Sequence, residues 1–261
     1  MYRPDLQRYR KGGRLILSKR DIENISVAVL KDFKPQALKE PVALHADEFI
    51  EQYLGFHLRY ECLTNNESIL GMVTFTGGNI YVYDRENDGI QEIYVDKNTV
   101  LIDVGLLGED KIGRYEFTGF HEGGHCILHA PEISEGQMSM FEAPDTGTII
   151  CRSGETFYGM QKSDDDWREW QADYFSACMK LPRNMVRSVA IECMRNIGIV
   201  KDSISKYDKD VYNECCEFLP DMIAETFMTS KTAARYRLEE LKIIRKDKDL
   251  FDYLNNDKKI I

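Results

Sequence analysis

The sequence predicts an α+β fold in a single domain over residues 20–245, and three observations support this prediction. Strand-like runs rich in β-branched and aromatic residues cluster in the segment 56–106. Apolar residues recur at helical spacing before this segment and again after it. The chain has neither an internal repeat nor a low-complexity linker that would mark a second domain. We therefore expect a small sheet packed on a helix, followed by a helical C-terminal part.

The composition favours a soluble globular protein and restricts its partners. With 261 residues and 43% hydrophobic content, the chain is long and apolar enough to bury a sizeable core. Its net charge of -10 argues against broad attraction to nucleic acid or anionic membranes, which needs a basic surface. We expect neither a membrane span, which needs ~18 apolar residues, nor a signal peptide. Seven cysteines without a tight spacing pattern are typical of reduced thiols, so we expect a cytoplasmic protein.

The first twenty residues are strongly basic. They carry seven Lys or Arg residues against one Asp. The simpler interpretation is a solvated basic arm over residues 1–20, and an arm that binds a partner is the alternative. At the other end of the chain, we expect residues 246–261 to form a tail.

Helices and strands alternate in the first part of the domain. Apolar residues recur at helical spacing between Ser18, which is suited to cap a helix, and Pro35, which ends it. A second helix, "HADEFIEQYL", ends at Gly55. The runs "FHLRYECL", "LGMVTFTG" and "NIYVYD" predict strands, and the pair Gly77 and Gly78 predicts a hairpin between the last two. The run "TVLIDVGL" predicts a further strand.

The second part of the domain is predicted to be helical on both sides of a long loop. Residues 110–129 show a helical pattern with a broad apolar face. Residues 130–162 are expected to form a loop, with a hairpin near "TGTIICRSGETFYG", and loops of this length are often functional. Helix resumes at Ser163, which can cap it. The predicted helices are "SDDDWREWQADYFSACMKLP", "NMVRSVAIECMRNIG", "KDVYNECCEF", "DMIAETFM" and "SKTAARYRLEELKII".

The motif "HEGGH" lies on the helix that precedes the loop. Residues four apart on a helix project from the same face, so His121 and His125 can converge on one metal ion. Glu122 is rotated by about 100° from His121 and lies beside such an ion. A carboxylate in that place is suited to act as a general base towards water that zinc has activated. The motif therefore indicates a catalytic zinc site, provided that a third ligand exists.

Glu169 is the predicted third ligand. His129 continues the face of the two histidines, but along an unbroken helix it lies about 12 Å from His121, too far to share an ion with bonds of ~2.0–2.1 Å. We interpret His129 as a residue of the helix end or one that supports a ligand. Glu169 lies on the helix after the loop, and Asp173 follows one turn later, where it can accept the outer N–H of a ligating imidazole. A solvated acidic face around "SDDDWRE" is the alternative interpretation.

Three stretches resemble the ImmA/IrrE metallopeptidases, small cytoplasmic zinc proteases of bacteria and mobile elements. These are "RYEFTGFHEGGHCILH", "EWQADYFSACMKLP" and "AETFMTSKTAARYRLEEL", and the resemblance extends over residues 20–245. Gly123 departs from the family pattern, which usually has a larger apolar residue there. The ending "MKLP" replaces the usual leucine-methionine-proline. We expect no separate sensor or DNA-binding domain, so the resemblance is to the short, ImmA-type architecture.

The resemblance implies both a fold and an activity. The fold would be a zincin-like core, with a small antiparallel sheet packed on the helix that carries the HExxH motif. Zinc would be held by His121, His125 and Glu169, with Glu122 as the base and Asp173 supporting a ligand. The activity would be regulatory proteolysis, typically of a helix-turn-helix repressor. The implied partner is thus a protein substrate rather than a membrane or nucleic acid.

Two other functions remain open at this point. The runs "DMIAETFM" and "KTAARYRLEEL" look like a helix-turn-helix pair that would bind DNA, although the acidic balance favours a packing role. A protein that keeps the zinc site but acts as a regulatory binding module, without protease activity, is the other alternative.

Two residues of the predicted loop are further candidates for the site. Cys151 would reach the metal as a thiolate and block the water position, although a lone cysteine is usually structural. Tyr158 is a candidate for stabilising the oxyanion of the tetrahedral intermediate, a role that zinc itself fills in part.

Overall fold

The computed structural model describes residues 1–12, 14–130, 148–152, 164–205 and 207–245. The chain forms two compact units. The N-terminal unit consists of residues 1–35 and 44–180, and the C-terminal unit consists of residues 36–43 and 181–261. The predicted domain over residues 20–245 is divided between them, and the predicted tail lies outside the described residues.

The basic N-terminal segment is only partly the solvated arm that we predicted. Strands β1 (Arg10–Lys11) and β2 (Arg14–Leu15) form a short antiparallel hairpin. The side chains of Leu6, Leu15 and Leu17 are buried. Burial of three leucines stabilises the segment against the rest of the unit, because apolar surface leaves water.

The first helix, α1 (Lys19–Phe33), begins and ends where the sequence predicts. Ser18 accepts a hydrogen bond from the Asp21 amide, and the Asp21 carboxylate accepts one from the Ser18 amide at 2.9 Å. A π-helical segment, Glu48–Leu54, follows, and Gly55 ends it in the left-handed conformation with φ of 72°. The second predicted helix is thus present, mostly as π-helix.

Five strands follow in sequence: β3 (His57–Glu61), β4 (Ile69–Thr74), β5 (Gly78–Asp84), β6 (Gly89–Val95) and β7 (Thr99–Asp103). With β8 (Thr148–Arg152), they form a four-stranded sheet in the order β3-β7-β4-β8 and a separate β5-β6 pair. Strand β4 is antiparallel to β7 and β8, but β3 is parallel to β7. The prediction of a purely antiparallel sheet is therefore wrong for the pair β3 and β7. The chain after β3 returns to the same end of the sheet, so β7 runs in the same direction as β3.

The predicted hairpin at Gly77 and Gly78 is also wrong. Strand β5 pairs with β6, which the sequence analysis missed, and not with β4. Ile80 and Val82 bury one face of this pair, together with Val95. The alternation of Ile80 and Val82 with outward-facing residues fixes the register of β5, since a shift by one residue would move these side chains to the outer face.

Helix α2 (Ile112–Leu128) carries the HEGGH motif and lies at the centre of the N-terminal unit. It packs against helix α3 (Asp164–Lys180), strands β4 and β7 and the π-helical segment. Both helices occur where the sequence predicts them. Because the sheet and α3 both pack against α2, the side chains of α2 are held in place from two sides.

The C-terminal unit contains three helices in its described residues: α4 (Arg183–Asn196), α5 (Tyr212–Phe227) and α6 (Lys231–Glu240). Strands β9 (Ile204–Ser205) and β10 (Ile244–Arg245) form a short parallel pair. The sequence analysis split α5 at Pro220, whereas the structure continues the helix through it. Proline has no N–H for the Cys216 carbonyl, and the Arg235 guanidinium donates to that carbonyl instead, at 3.1 Å.

The observed fold is mixed α and β, with small sheets. None of the helices in the described ranges has the length and apolar character that a membrane span requires.

Candidate metal centre

Three side chains from two helices meet beside the sheet. His121 and His125 project from α2, and Glu169 projects from α3. The two imidazole Nε2 atoms lie 3.0 Å apart. The Glu169 carboxylate oxygens lie 3.3 Å from His121 Nε2 and 3.2 Å from His125 Nε2. Both histidines are buried, and Glu169 closes the cluster from the facing helix.

These separations fit a zinc ion. Ligand atoms at the corners of a tetrahedron with zinc bonds of ~2.0–2.1 Å lie about 3.3 Å from one another. The two Nε2 atoms lie 3.0 Å apart, one Glu169 oxygen lies 3.2 Å from His125 Nε2, and the other lies 3.3 Å from His121 Nε2. Two imidazoles and one carboxylate are also a donor set of catalytic zinc sites, where a fourth position stays open.

The charges in the cluster favour metal binding as well. Burial alone would raise the pKa of the Glu169 carboxyl, but interactions with His125 and His121 outweigh it and hold that pKa below its ordinary value. Burial lowers the pKa of His125, and the nearby Glu169 carboxylate opposes this only in part. An ionised carboxylate and a neutral imidazole are the protonation states that bind a metal.

Asp173 orients the first histidine. Its Oδ1 lies 2.8 Å from His121 Nδ1. An ionised carboxylate only accepts, so the His121 Nδ1–H donates and the Nε2 lone pair faces the cluster. The structure therefore brings Asp173 to the contact that the sequence analysis assigned to it.

Glu122 is completely buried, next to the cluster. Within the described part of the chain, neither of its carboxylate oxygens has a hydrogen-bond partner. Burial raises the pKa of Glu122 to about 8, an effect that His121 reduces. A buried polar group without a protein partner is unusual, and a substrate or solvent molecule is the natural partner for such a group in a functional site.

Gly71 on β4 makes room for Glu122, and the sequence analysis missed it. A Cβ atom at this position would lie 2.4 Å from Glu122 Oε1, which is shorter than any van der Waals contact. An isolated glycine inside an apolar strand often marks such a close approach. That signal was present in "LGMVTFTG".

His129 lies at the C-terminal end of α2 and is fully buried. Its Nδ1 is 2.9 Å from His125 Nδ1, and its Nε2 is 3.1 Å from Gln171 Oε1. It is not among the three side chains whose ligand atoms converge, as the geometric argument from the helix predicted. Nothing in the sequence pattern pointed to Gln171.

The two loop candidates have different outcomes. Cys151 was predicted to lie in a loop, but it lies in strand β8, where it pairs with Gly71. Three consecutive β-branched residues in "TIICR" favour this strand. Tyr158, like most of the predicted loop over residues 130–162, lies outside the described residues.

Comparison with known proteins adds nothing to this geometry. No protein-family model matches the chain, and no curated protein matches it significantly.

Proposed function

We propose that this protein is a zinc-dependent endopeptidase that cleaves a regulatory protein. One observation carries the proposal: a converging cluster of two histidines and a glutamate lies beside a buried carboxylate, Glu122, that has no partner among the described residues. A peptide bond is the proposed substrate.

In the proposed hydrolysis, the metal would activate water and the side chains of the protein would transfer the proton. Zinc bound by His121, His125 and Glu169 would lower the pKa of water from 15.7 to about 7 and polarise the peptide carbonyl. Glu122 is placed to take the proton from the attacking water as a general base. The same carboxyl then gives a proton to the amine that leaves. Asp173 holds His121 in the orientation that this geometry requires.

The buried environment of Glu122 suits this exchange of a proton. Burial raises the pKa of Glu122 to about 8 in the metal-free site, and the positive charge of a bound zinc ion would lower it again, which favours the ionised carboxylate that a general base needs. The strand that contains Gly71 lies against it, so the carboxylate has little freedom to rotate away.

The repressor substrate is proposed from the sequence resemblance to the ImmA/IrrE peptidases. The cytoplasmic location, the short ImmA-type architecture and the zincin-like classification of the core are proposed on the same ground.

The alternative function, DNA binding by the helices α5 and α6, is less well supported than the peptidase. The Arg237 guanidinium is buried and donates to the Leu181 carbonyl at 3.0 Å. Lys231 pairs with Asp221 at 2.8 Å, and Arg235 donates to a helix carbonyl. Arg237 therefore serves packing, and the exposed Lys231 and Arg235 pair with Glu217 and Asp221, whose negative charges disfavour a DNA-binding face.

A cleavage assay with a matched variant tests the proposal. The zinc-loaded protein is incubated with a candidate helix-turn-helix repressor and with a proteome-derived peptide library, and new termini are identified by mass spectrometry. We expect cleavage by the wild type, and 10²–10⁴-fold slower cleavage by Glu122→Gln at unchanged zinc content, because the variant keeps the shape and loses the base.

Two results would count against this account. Equal cleavage rates in the wild type and Glu122→Gln would remove Glu122 as the base. Full zinc loading without cleavage of any substrate would instead favour the binding module without protease activity. Loss of cleavage with a chelator, followed by recovery with added zinc, is the control for contaminating proteases.

A further inference from the structure

We propose that His129 and Gln171 form a hydrogen-bond relay that fixes the ligating tautomer of His125 and ties it to the N-terminal hairpin. The inference rests on the proposed zinc site and adds two positioning residues to it. It also makes the hairpin β1-β2 part of the support of the metal centre.

The relay is a continuous series of short contacts. His125 Nδ1 lies 2.9 Å from His129 Nδ1. His129 Nε2 lies 3.1 Å from Gln171 Oε1. The Gln171 amide then donates from Nε2 to the carbonyl oxygen of Leu15 at 3.0 Å. Four groups from α2, α3 and β2 are therefore connected end to end.

The last group determines the direction of every hydrogen bond. A backbone carbonyl only accepts, so the Gln171 NH₂ group must face Leu15 and its oxygen must face His129. An amide oxygen also only accepts, so His129 Nε2 carries a hydrogen. At the other end of the relay, a His125 that binds metal through Nε2 carries its hydrogen on Nδ1, the atom that faces His129.

The Nδ1–Nδ1 contact of 2.9 Å has room for one hydrogen only, so His129 Nδ1 is the acceptor in it. The group that faces it, His125 Nδ1, must then be the donor. With its hydrogen on Nδ1, His125 presents the Nε2 lone pair to His121 and Glu169. This is the tautomer that a metal ligand needs.

Burial makes the relay effective. The exposed fractions are 0% for His125, 0% for His129 and 1% for Gln171. Water therefore has no access to replace a lost partner, and an unpaired group in this place carries the full penalty of desolvation. The two proposed ligands differ in the exposure of the groups that orient them. His125 is oriented by buried groups, whereas the Asp173 side chain that orients His121 is 56% exposed.

The first test reads the tautomers in the wild-type protein by long-range ¹H–¹⁵N NMR of the imidazole rings. We expect His125 to carry a hydrogen on Nδ1 with and without zinc, and His129 to carry its hydrogen on Nε2 alone. A hydrogen on His129 Nδ1, or a metal-free His125 without one on Nδ1, would overturn the relay.

The second test measures the zinc dissociation constant by competition with a chromophoric chelator. We expect Gln171→Leu and His129→Leu to bind zinc 10- to 100-fold more weakly, the usual effect of losing a hydrogen bond to a metal ligand. His129→Asn should recover much of the affinity, because the Asn side-chain oxygen can accept from His125 Nδ1 in place of the imidazole.

Ser176→Ala is the matched control. Ser176 is buried on α3 and donates to the Phe117 carbonyl of α2 at 2.8 Å, so it joins the same two helices without contacting a ligand. We expect Ser176→Ala to lower the unfolding temperature and to leave zinc affinity unchanged. Unchanged affinity in Gln171→Leu, or an equal loss in Ser176→Ala, would contradict the relay.

These outcomes are separate from those of the proposed function. A wild type that binds no zinc would refute the metallopeptidase, while the metal-free tautomers of His125 and His129 would still decide the relay. Normal zinc binding with the wrong tautomers would refute the relay alone.

Discussion

Single residues control the site through close approaches that only glycine permits. Gly123 lies within the HEGGH motif, and a glycine inside a helix costs about 1 kcal/mol relative to alanine. The structure explains why a glycine stands there, because a Cβ at Gly123 would lie 2.4 Å from Cε1 of Phe49. The glycine allows the π-helical segment to pack directly on α2. Gly71 has the same relation to the Glu122 carboxylate.

The Gly71→Ala substitution tests this arrangement. We expect it to lower kcat strongly while zinc content stays near one per chain, because the added methyl group displaces Glu122 and touches none of the three proposed ligands. A general base typically accelerates a reaction by 10²–10⁴-fold, so its displacement can lower kcat by up to that factor. The measurement is kcat of peptide cleavage together with metal content.

Gly89→Ala provides the comparison at another strand glycine. A Cβ at Gly89 would meet its nearest atom, the Asn87 carbonyl oxygen, at an ordinary 3.7 Å. This variant should cleave at the wild-type rate. Wild-type kcat in Gly71→Ala would show that Glu122 is not confined by β4.

At the scale of elements, helices were predicted well wherever caps and spacing agreed. Helix α1 has the Ser18 capping box, and α2 and α3 have long apolar patterns. Strand β6 was missed because "GIQEIYV" mixes charged and apolar residues, so its pairing depends on contacts with β5. Strand β8 lies within the hairpin predicted near "TGTIICRSGETFYG", but its pairing with β4 was not predicted. Pairing between distant segments was the information that local patterns lacked.

The same limitation applies to Pro220 and to Gln171. Proline normally ends a helix, and here a guanidinium from a different helix satisfies the carbonyl that proline leaves open. The convergence of His121 and His125 could be predicted from helical spacing, and that of Glu169 from the need of the motif for a third donor. The relay through Gln171 could not, since its other partner, Leu15, lies 156 residues away.

A double-mutant cycle tests the account of α5. We expect Arg235→Met to lower the free energy of unfolding by about 1 kcal/mol, the typical contribution of one hydrogen bond. In the Pro220→Ala background the same substitution should matter less, because the Ala N–H can then reach the Cys216 carbonyl. Urea denaturation of the four proteins gives the coupling energy, and additive effects would show that Arg235 does not compensate for the proline.

At the scale of the whole molecule, the N-terminal unit is built from two stretches of chain, and a buried lysine joins the two ends of the longer one. Lys180, the last residue of the unit, donates to the carbonyl of Leu44, the first residue of its second stretch, at 2.6 Å. The Lys180 ammonium also lies 3.8 Å from the buried Glu116 carboxylate. Burial lowers the pKa of Lys180 to about 8, although Glu116 opposes the shift.

This shift predicts how stability depends on pH. The ordinary pKa of the lysine is 10.5 and its folded pKa is about 8, so between these values the unfolded chain binds more protons than the folded one. The contribution of Lys180 to the free energy of unfolding should therefore increase as pH rises from 8 to 10.5. Urea denaturation at several pH values should show the wild type gaining stability over Lys180→Met in this window.

Lys97→Met is the matched control, because Lys97 is exposed in the same unit. Its difference from the wild type should stay constant over the window. A constant difference for Lys180→Met as well would mean that the lysine is charged in the folded protein throughout this range.

The measurement that tests the central claim most directly is metal content by mass spectrometry of the purified wild type beside Glu169→Ala and His121→Ala. The ligands come from two helices, so zinc binding requires both the local pattern and the folded unit. The account predicts about one zinc per wild-type chain and none retained by either variant. Full zinc content in Glu169→Ala would contradict it, because the third ligand would then be a different residue.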